Sequence, residues 1–265
     1  MSHFFSKIKE AFWLWYDKDA DHVAASVSYY SIFGLVPFIL LTYFLTGWIL
    51  GREVLIQKMM QLGDVLDDEV IDILATAINN LEAITANFSF PVIGVVFFSG
   101  MVVVMLNTFT SGLMKIWSVK HRGFKGWLEK SFRSVLFVIF LQIVIMFTVI
   151  SQHLLFGLEA ATSNVVVWPL WFLIDFATMS VVVLMAYKLL PWRSPSWGAC
   201  LRGSLLVSTL FIVFKLVISS YVAVTPFPGL FGAAGILIGL LIWVYAMASL
   251  MYFGAAVAFV VDKKK

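Results

Sequence analysis

Two ionisable side chains lie inside long apolar runs of the 265-residue chain. Asp175 follows Trp171-Phe-Leu-Ile and precedes Phe-Ala-Thr-Met, and Lys215 follows Leu210-Phe-Ile-Val-Phe and precedes Leu-Val-Ile. A charge in such a run is costly in a bilayer unless it meets an opposite charge or water. Asp175 and Lys215 are therefore the first candidates for a binding site.

The two charges belong to consecutive apolar runs that cross in opposite directions. They lie about 8 and 7 residues from the same end, which places both roughly 10 to 12 Å deep at 1.5 Å per residue. Helices joined by a short connection usually pack side by side, so we expect Asp175 and Lys215 to touch.

Two interpretations of this pair stay open. It is either an ion pair that locks two helices, or a binding or proton-coupling site in which Lys215 attracts an anionic group and Asp175 sets its protonation. Polar residues on neighbouring runs favour the second, and the predicted substrate site comprises Lys215, Asp175, Tyr30 and Asn107. The other polar positions are Thr108, Thr110, Ser111, Gln142, Thr178, Ser204 and Ser208.

Enzymatic chemistry finds little support. The four histidines are scattered, no metal-ligand spacing occurs, and no nucleophile elbow, phosphate loop or dinucleotide fingerprint is present. One cysteine, Cys200, rules out an internal disulfide. We expect no catalytic residues, no cofactor and no bound metal.

Composition fixes the class of protein. Hydrophobic residues make up 62% of the chain and charged residues 12%, and the mean hydropathy is +0.97. A soluble core cannot hide that much apolar surface, so the chain is predicted to be an all-α, polytopic membrane protein. Six runs are long enough to cross a bilayer: about 24 to 50, 88 to 113, 134 to 156, 165 to 187, 199 to 223 and 231 to 261.

The basic residues set the orientation. Fifteen of the 18 Lys and Arg residues fall before the first run, around the connections between the second and third runs and between the fourth and fifth runs, or in the tail. Such residues stay on the cytoplasmic side, so both termini are predicted to be cytoplasmic. The membrane domain would span 24–261, preceded by an interfacial amphipathic helix in 1–23 and followed by a basic tail, 262–265; a helix packed on the spans is an equal alternative for 1–23.

The connections carry two further predictions. The acidic outer loop, 51–87, has apolar residues at helical spacing, which indicates one or two amphipathic helices. The basic segment between the second and third runs contains Lys120, Arg122 and Lys125 among aromatic residues. Contact with anionic lipid headgroups explains it more simply than nucleic-acid binding, so the bilayer and an unknown small solute are the expected partners.

Prolines and glycines are expected to shape the helices. Gly34 and Pro37 fall on one face of the first run with Ser26 and Tyr30, which predicts that this face points into the bundle. Pro226 and Pro228 indicate that the connection between the fifth and sixth runs is not helical throughout, either as a tight turn or as broken helix lining a site. Gly235 and Gly239 have the spacing of a close helix contact.

Several segments resemble the YihY/virulence factor BrkB family of bacterial inner-membrane proteins, once mislabelled as ribonuclease BN. The matching segments are Ala24-Ala-Ser-Val-Ser-Tyr-Tyr-Ser-Ile-Phe-Gly-Leu-Val-Pro37; Tyr187-Lys-Leu-Leu-Pro191 with Trp197 and Arg202-Gly203; Phe214-Lys215 with Tyr221; and Phe231-Gly-Ala-Ala-Gly-Ile-Leu-Ile-Gly-Leu-Leu-Ile-Trp-Val-Tyr245. The resemblance implies six spans and an inner-membrane location, and some members are linked to serum resistance. It implies no settled biochemical activity.

The chain departs from the family pattern at two places. Gly254-Ala-Ala-Val-Ala258 stands where the family usually has Gly-Ala-Glu-x-Asn, and Gly112-Leu-Met114 stands where it often has Ala-Leu-Asn. No role of that Glu or those Asn residues carries over. The sequence favours a transporter or exporter of a small or amphipathic anionic solute, with a non-transporting scaffold or envelope-integrity factor as the alternative and a membrane-bound ribonuclease as a remote one.

Overall fold

The computed structural model describes residues 2–50, 89–119, 123–159, 164–224 and 227–263, and these form seven α-helices without a strand. The helices are α1 (Ser2–Asp17), α2 (Ala20–Leu50), α3 (Ser89–Ile116), α4 (Gly123–Glu159), α5 (Asn164–Leu189), α6 (Trp197–Val224) and α7 (Phe227–Asp262). The all-helical prediction is confirmed for these ranges. The predicted helices of the loop 51–87 lie outside the described residues.

The six apolar runs correspond to α2 through α7. Within the described residues, four helical segments are long and apolar enough to cross a membrane: Gly123–Thr148, Leu170–Leu189, Trp197–Val217 and Ile238–Asp262. Gly100–Ile116 is a shorter apolar helical segment. The number of six spans and the side of the termini stay predictions.

The chain divides into two compact units, residues 1–32 with 103–265, and residues 33–102. In the second unit, the Thr42 hydroxyl donates to the Phe38 carbonyl oxygen of its own helix at 2.8 Å. The first unit carries every contact described below. In it α4 packs on α5, α5 on α6, α6 on α7, and α1 on α7.

The contact between α6 and α7 is built around two glycines. A Cβ on Gly203 would lie 2.5 Å from the Gly254 carbonyl oxygen, and a Cβ on Gly254 would lie 2.2 Å from Val207 Cγ2. The fully buried Tyr187 of α5 reaches the same place and donates its hydroxyl to the Met251 carbonyl oxygen. Close backbone approach therefore brings α6 and α7 together at this point, and farther along the same pair Phe211 and Phe214 contact Trp243.

The end of α3 is tied to α7 by aromatic side chains. Tyr252 donates its hydroxyl to the Phe109 carbonyl oxygen at 3.1 Å, and its ring stacks on Phe109 with centroids 5.2 Å apart. A Cβ on Gly112 would meet that tyrosine ring at 2.5 Å. Trp117 donates its indole N–H to the Ala255 carbonyl oxygen at 3.0 Å.

The corner between α1 and α2 turns at Asp19, whose φ of 47° is in the left-handed region that Asp tolerates better than most residues. Its carboxylate accepts a hydrogen bond from Lys115 Nζ at 2.9 Å, and Lys18 donates to the Ser118 hydroxyl at 3.1 Å. The hydrogen bond and charge of Lys115 lower the pKa of Asp19 below its ordinary value. This corner is thus held to the end of α3.

The N-terminal helix has one packed and one open face. Ala11 is fully buried where α1 packs on α7, whereas Phe12, Trp13 and Tyr16 are about half exposed. The indole nitrogen of Trp15 is buried and has no hydrogen-bond acceptor among the described residues. The packed face fits a helix that lies against the spans, and the open aromatic face fits a helix at the membrane interface. The interfacial location of residues 1–23 stays a prediction.

The connection from α5 to α6 is held from three sides. Arg133 of α4 donates to the Leu189 and Pro191 carbonyl oxygens at 3.4 and 3.2 Å. Lys188 donates to the Ser194 hydroxyl at 3.2 Å, and Asp262, at the end of α7, accepts from the Ser196 backbone N–H at 3.1 Å. The start of α6 is therefore anchored by the last residue of α7.

The start of α7 lies within a few residues of the predicted run, and the prediction that the connection is not helical throughout falls partly on residues 225–226, which lie outside the described residues. The helix begins at Phe227, four residues before the predicted start at 231, so most of the proline- and glycine-rich stretch is helical. Pro228 fits because it lies in the first turn, where its missing N–H costs no helical hydrogen bond. Pro226 lies outside the described residues.

Candidate functional site

Asp175 and Lys215 form an ion pair between α5 and α6. Lys215 Nζ lies 3.0 Å from Asp175 Oδ2, and lysine donates a hydrogen bond to the carboxylate. Ser180 and Ser208, farther along the same antiparallel helix pair, are buried and hydrogen-bonded at 2.9 Å. Equal depth on neighbouring helices thus brings the two charges together, as the sequence predicts.

The ion pair is open rather than enclosed by packing. The side chains of Lys215 and Asp175 are 57% and 44% exposed. Their neighbours along the helices are also exposed and apolar: Phe172, Leu173, Val213, Leu216 and Val217. Since the one hydrogen bond between them leaves most polar atoms of the pair without a partner among the described residues, these atoms need water or another polar group.

Asn107 lies in a different polar cluster. Its Nδ2 donates to the Ser131 hydroxyl at 2.9 Å, and its Oδ1 accepts from the Ser134 hydroxyl at 3.0 Å. Asn107 and Ser134 are buried, and the cluster joins α3 to α4. The structure therefore places Asn107 with α4 rather than in hydrogen-bonding contact with Asp175 or Lys215.

Tyr30 has no hydrogen bond to the ion pair within the described part of the chain. It is 39% exposed, and its ring meets that of Tyr29 edge to face with centroids 5.5 Å apart. Polar contact with the interior is made instead by Ser28, whose hydroxyl donates to the Leu241 carbonyl oxygen at 2.6 Å. The face of α2 that contacts α7 therefore contains Ser28, whereas Ser26 and Tyr30, on the face predicted to point into the bundle, are exposed.

Several other polar residues bond only their own helices. The Thr108, Thr110 and Ser204 hydroxyls donate to the carbonyl oxygens of Val104, Leu106 and Leu201, respectively. Such bonds satisfy a hydroxyl inside an apolar helix without forming a site. They carry no ligand-binding information.

The residues expected to shape the helices have mixed outcomes. Gly34 and Pro37 lie within the uninterrupted helix α2, and Gly235 lies within α7. A Cβ on Gly239 would meet no atom within 4 Å, so this glycine makes no close helix contact in the described structure. The close contacts involve Gly203, Gly254 and Gly112 instead, and all three stand in segments compared with the family pattern.

The expected headgroup contacts are described only in part. Lys125 is exposed at the start of α4, beside Phe124 and Trp127, whose exposed rings stack with centroids 5.8 Å apart. Exposed aromatic rings next to a cation are typical of a membrane interface. Lys120 and Arg122 lie outside the described residues.

Sequence reasoning did not single out Lys130 and Ser131. Lys130 Nζ donates to the Ser111 hydroxyl at 2.9 Å, next to the Asn107 cluster. Their signal was available in the sequence, because Lys130 lies one turn before a predicted span and next to a serine. Within the described ranges, no group of three or more His, Cys, Asp or Glu side chains is placed to hold a metal ion.

Comparison with known families gives one result. A family model described as Virulence factor BrkB matches residues 14–265, nearly the whole chain. Comparison with curated proteins and with solved structures gives no match. The apolar helices and the family together indicate a multi-pass membrane protein. Because the match covers far more than half of the 265 residues, this chain belongs to the Virulence factor BrkB family.

Proposed function

We propose that the chain is a six-span inner-membrane transporter, with both termini in the cytoplasm, for a small or amphipathic anionic solute. The observation that carries this proposal is the half-exposed ion pair of Asp175 and Lys215 between two apolar helices. In a bilayer, the polar atoms of an ion pair that packing does not enclose need water or a polar ligand, so a half-exposed pair fits a site that a solute can reach.

Lys215 is the group that would bind the solute. An ammonium group has three N–H donors, and the one hydrogen bond to Asp175 leaves two of them for a second acceptor. An anionic solute would share or replace Asp175 as the partner of Lys215, and the freed carboxylate would then attract a proton. The pair thereby offers both an anion site and a means of coupling to protons.

A second function is favoured by the direct contact itself. At 3.0 Å the pair links neighbouring helices, and this geometry fits a scaffold in which Asp175 and Lys215 act only as a clasp. The two functions differ in what a reversed pair does. An ion pair that only joins the two helices works equally well with its charges exchanged, whereas an anion site needs its positive charge on α6.

Flux measurements on reconstituted protein separate the two. Proteoliposomes would be tested with labelled inorganic phosphate, citrate, octanoate and deoxycholate, comparing the wild type, Lys215→Met and the reversed pair Asp175→Lys with Lys215→Asp. Lys125→Met removes a positive charge at an exposed site and serves as the control. We expect flux of at least one anion that is lost in Lys215→Met and in the reversed pair but retained in the control.

Thermal unfolding of the same samples shows whether each variant is folded. Folded wild-type protein that moves none of these anions, together with full cellular function in a Leu/Leu replacement at 175 and 215, would establish the clasp and refute transport.

A further inference from the structure

A polar cluster crosses the contact between α3 and α4 near the predicted cytoplasmic ends of both helices. Asn107 and Ser111, one turn apart on α3, face Ser131 and Lys130, which are adjacent on α4. The hydroxyl of Ser111 donates to the Asn107 carbonyl oxygen at 2.8 Å, so it is used as a donor within its own helix. The cluster is joined by hydrogen bonds but contains one full positive charge.

That charge lacks a negative partner among the described residues. The hydrogen-bond partner of Lys130 Nζ there is the neutral Ser111 hydroxyl. The nearest carboxylates along the two helices and the adjoining corner bond other cations: Glu129 is 2.9 Å from Arg133, and Asp19 is 2.9 Å from Lys115. A partly buried ammonium with a neutral partner gains from binding an anion.

The cluster also has unused hydrogen-bond donors. Lys130 uses one of its three N–H groups. The Ser131 hydroxyl accepts from Asn107 and keeps its own proton for another acceptor. Adjacent residues therefore offer three spare donors and a positive charge, which suits a phosphate oxygen better than a carbonyl or a cation.

The surroundings point to the membrane interface. Phe124, Trp127, Leu128 and Phe132 are all more than half exposed on the same stretch of α4. Exposed aromatic and aliphatic residues beside a lysine near a helix start are the pattern found where helices meet phospholipid headgroups. Lys130 lies within two turns of each of these four residues along the helix.

We propose that Lys130 and Ser131 form a binding site for a phosphate group at the α3–α4 contact. The chemistry fits the phosphate of an anionic phospholipid and also free phosphate. The site is separate from Asp175 and Lys215 and does not rest on the transport proposal.

Thermal unfolding of the full chain in a neutral detergent tests the site. The unfolding midpoint would be followed by tryptophan fluorescence as phosphatidylglycerol, phosphatidylcholine or inorganic phosphate is added. We expect phosphatidylglycerol to raise the midpoint in a saturable manner, and Lys130→Met to weaken its apparent affinity roughly tenfold, the effect of losing one charge-assisted hydrogen bond. Lys9→Met, which makes the same change in net charge at an exposed position of α1, should bind as the wild type does.

The lipids and the ion distinguish the source of the phosphate. Stabilisation by phosphatidylglycerol but not by inorganic phosphate identifies a lipid site, and stabilisation by both identifies a site open to free phosphate. Equal affinity in Lys130→Met and the wild type, or equal loss in Lys130→Met and Lys9→Met, overturns the proposal. If Lys130→Met does not fold, Ser131→Ala replaces it, and unchanged affinity in that variant also overturns the two-residue site.

Discussion

Gly203 of α6 and Gly254 of α7 lie so close that a methyl group on either would overlap atoms of the other helix. A methyl group on Gly203 would lie 2.5 Å from the Gly254 carbonyl oxygen, and a methyl group on Gly254 would lie 2.2 Å from Val207 Cγ2. In lipid, helices gain little from burying apolar surface, so close backbone contact and interhelical hydrogen bonds must hold them together. These glycines therefore determine how α6 and α7 pack.

Replacement of Gly254 by alanine should destabilise the protein. The added methyl must displace Val207 and the Tyr187 hydroxyl, which lies 2.7 Å from its position, and such overpacking costs about 1 to 3 kcal/mol. Gly239→Ala is the matched control on the same helix, because its methyl meets nothing within 4 Å. Unfolding midpoints in detergent measure both, and an equal effect at the two positions would contradict the packing described here.

Trp15 and Trp117 should respond differently to replacement by phenylalanine. Trp117 donates to the Ala255 carbonyl oxygen, whereas the buried indole nitrogen of Trp15 has no acceptor in the part of the chain that the structure describes. Trp117→Phe should therefore cost about 1 kcal/mol more than Trp15→Phe, which removes an unsatisfied donor. Chemical or thermal unfolding of the two variants gives the difference, and a larger loss in Trp15→Phe would disprove the assignment.

The corner at Asp19 should weaken in acid. Lys115 lowers the pKa of Asp19, so the folded protein binds this proton less readily than the unfolded chain. The resulting stabilisation is fully present above the unfolded pKa of about 3.9 and is lost as pH falls through the lower, folded pKa.

Asp19→Asn should remove this part of the acid sensitivity while preserving the left-handed backbone, which asparagine also tolerates. Unfolding midpoints measured from about pH 6 down to about pH 3 test this, with the exposed Asp17→Asn as the control. A pH profile that is the same in the wild type and Asp19→Asn would show that the ion pair with Lys115 does not contribute.

Asn107→Leu should reduce stability without changing which anions are transported. The replacement leaves the Ser131 and Ser134 hydroxyls without their partner, at a cost of about 1 to 3 kcal/mol. Thr108→Val, which loses only a hydrogen bond within α3, is the control. If Asn107→Leu instead alters anion flux at normal stability, Asn107 acts at the Lys215 site after all.

The lengths and order of the helices were accessible from the sequence. Bilayer thickness demands long apolar runs, and five of the six predicted runs begin within a few residues of α2, α3, α5, α6 and α7. The exception is α4, which begins at Gly123, before the predicted run. Its first turns mix basic and aromatic residues, so they are helical but do not belong to an apolar run. The contact of Asp175 with Lys215 was predictable too, since a residue's depth follows from its position in the run.

It was harder to predict which side of each helix faces the bundle interior and which side faces lipid. In a soluble helix the apolar side marks the core, but lipid and the bundle interior are both apolar, so the pattern along α5 or α7 contains little information on rotation. That is why Asn107 was assigned to the ion pair rather than to α4. The spacing of Gly235 and Gly239 is visible along one helix, whereas the contact between Gly203 and Gly254 joins two helices and has no spacing signal.

The hydrogen bond between Ser196 and Asp262 sets the axial position of α6 from the far end of the chain. Lys215 lies about five turns beyond Ser196, and a rigid helix transmits any sliding of its first turn over that length. Truncation before Asp262, or a bulky fusion joined directly to it, would free α6 to slip and would misalign a charge deep in the membrane.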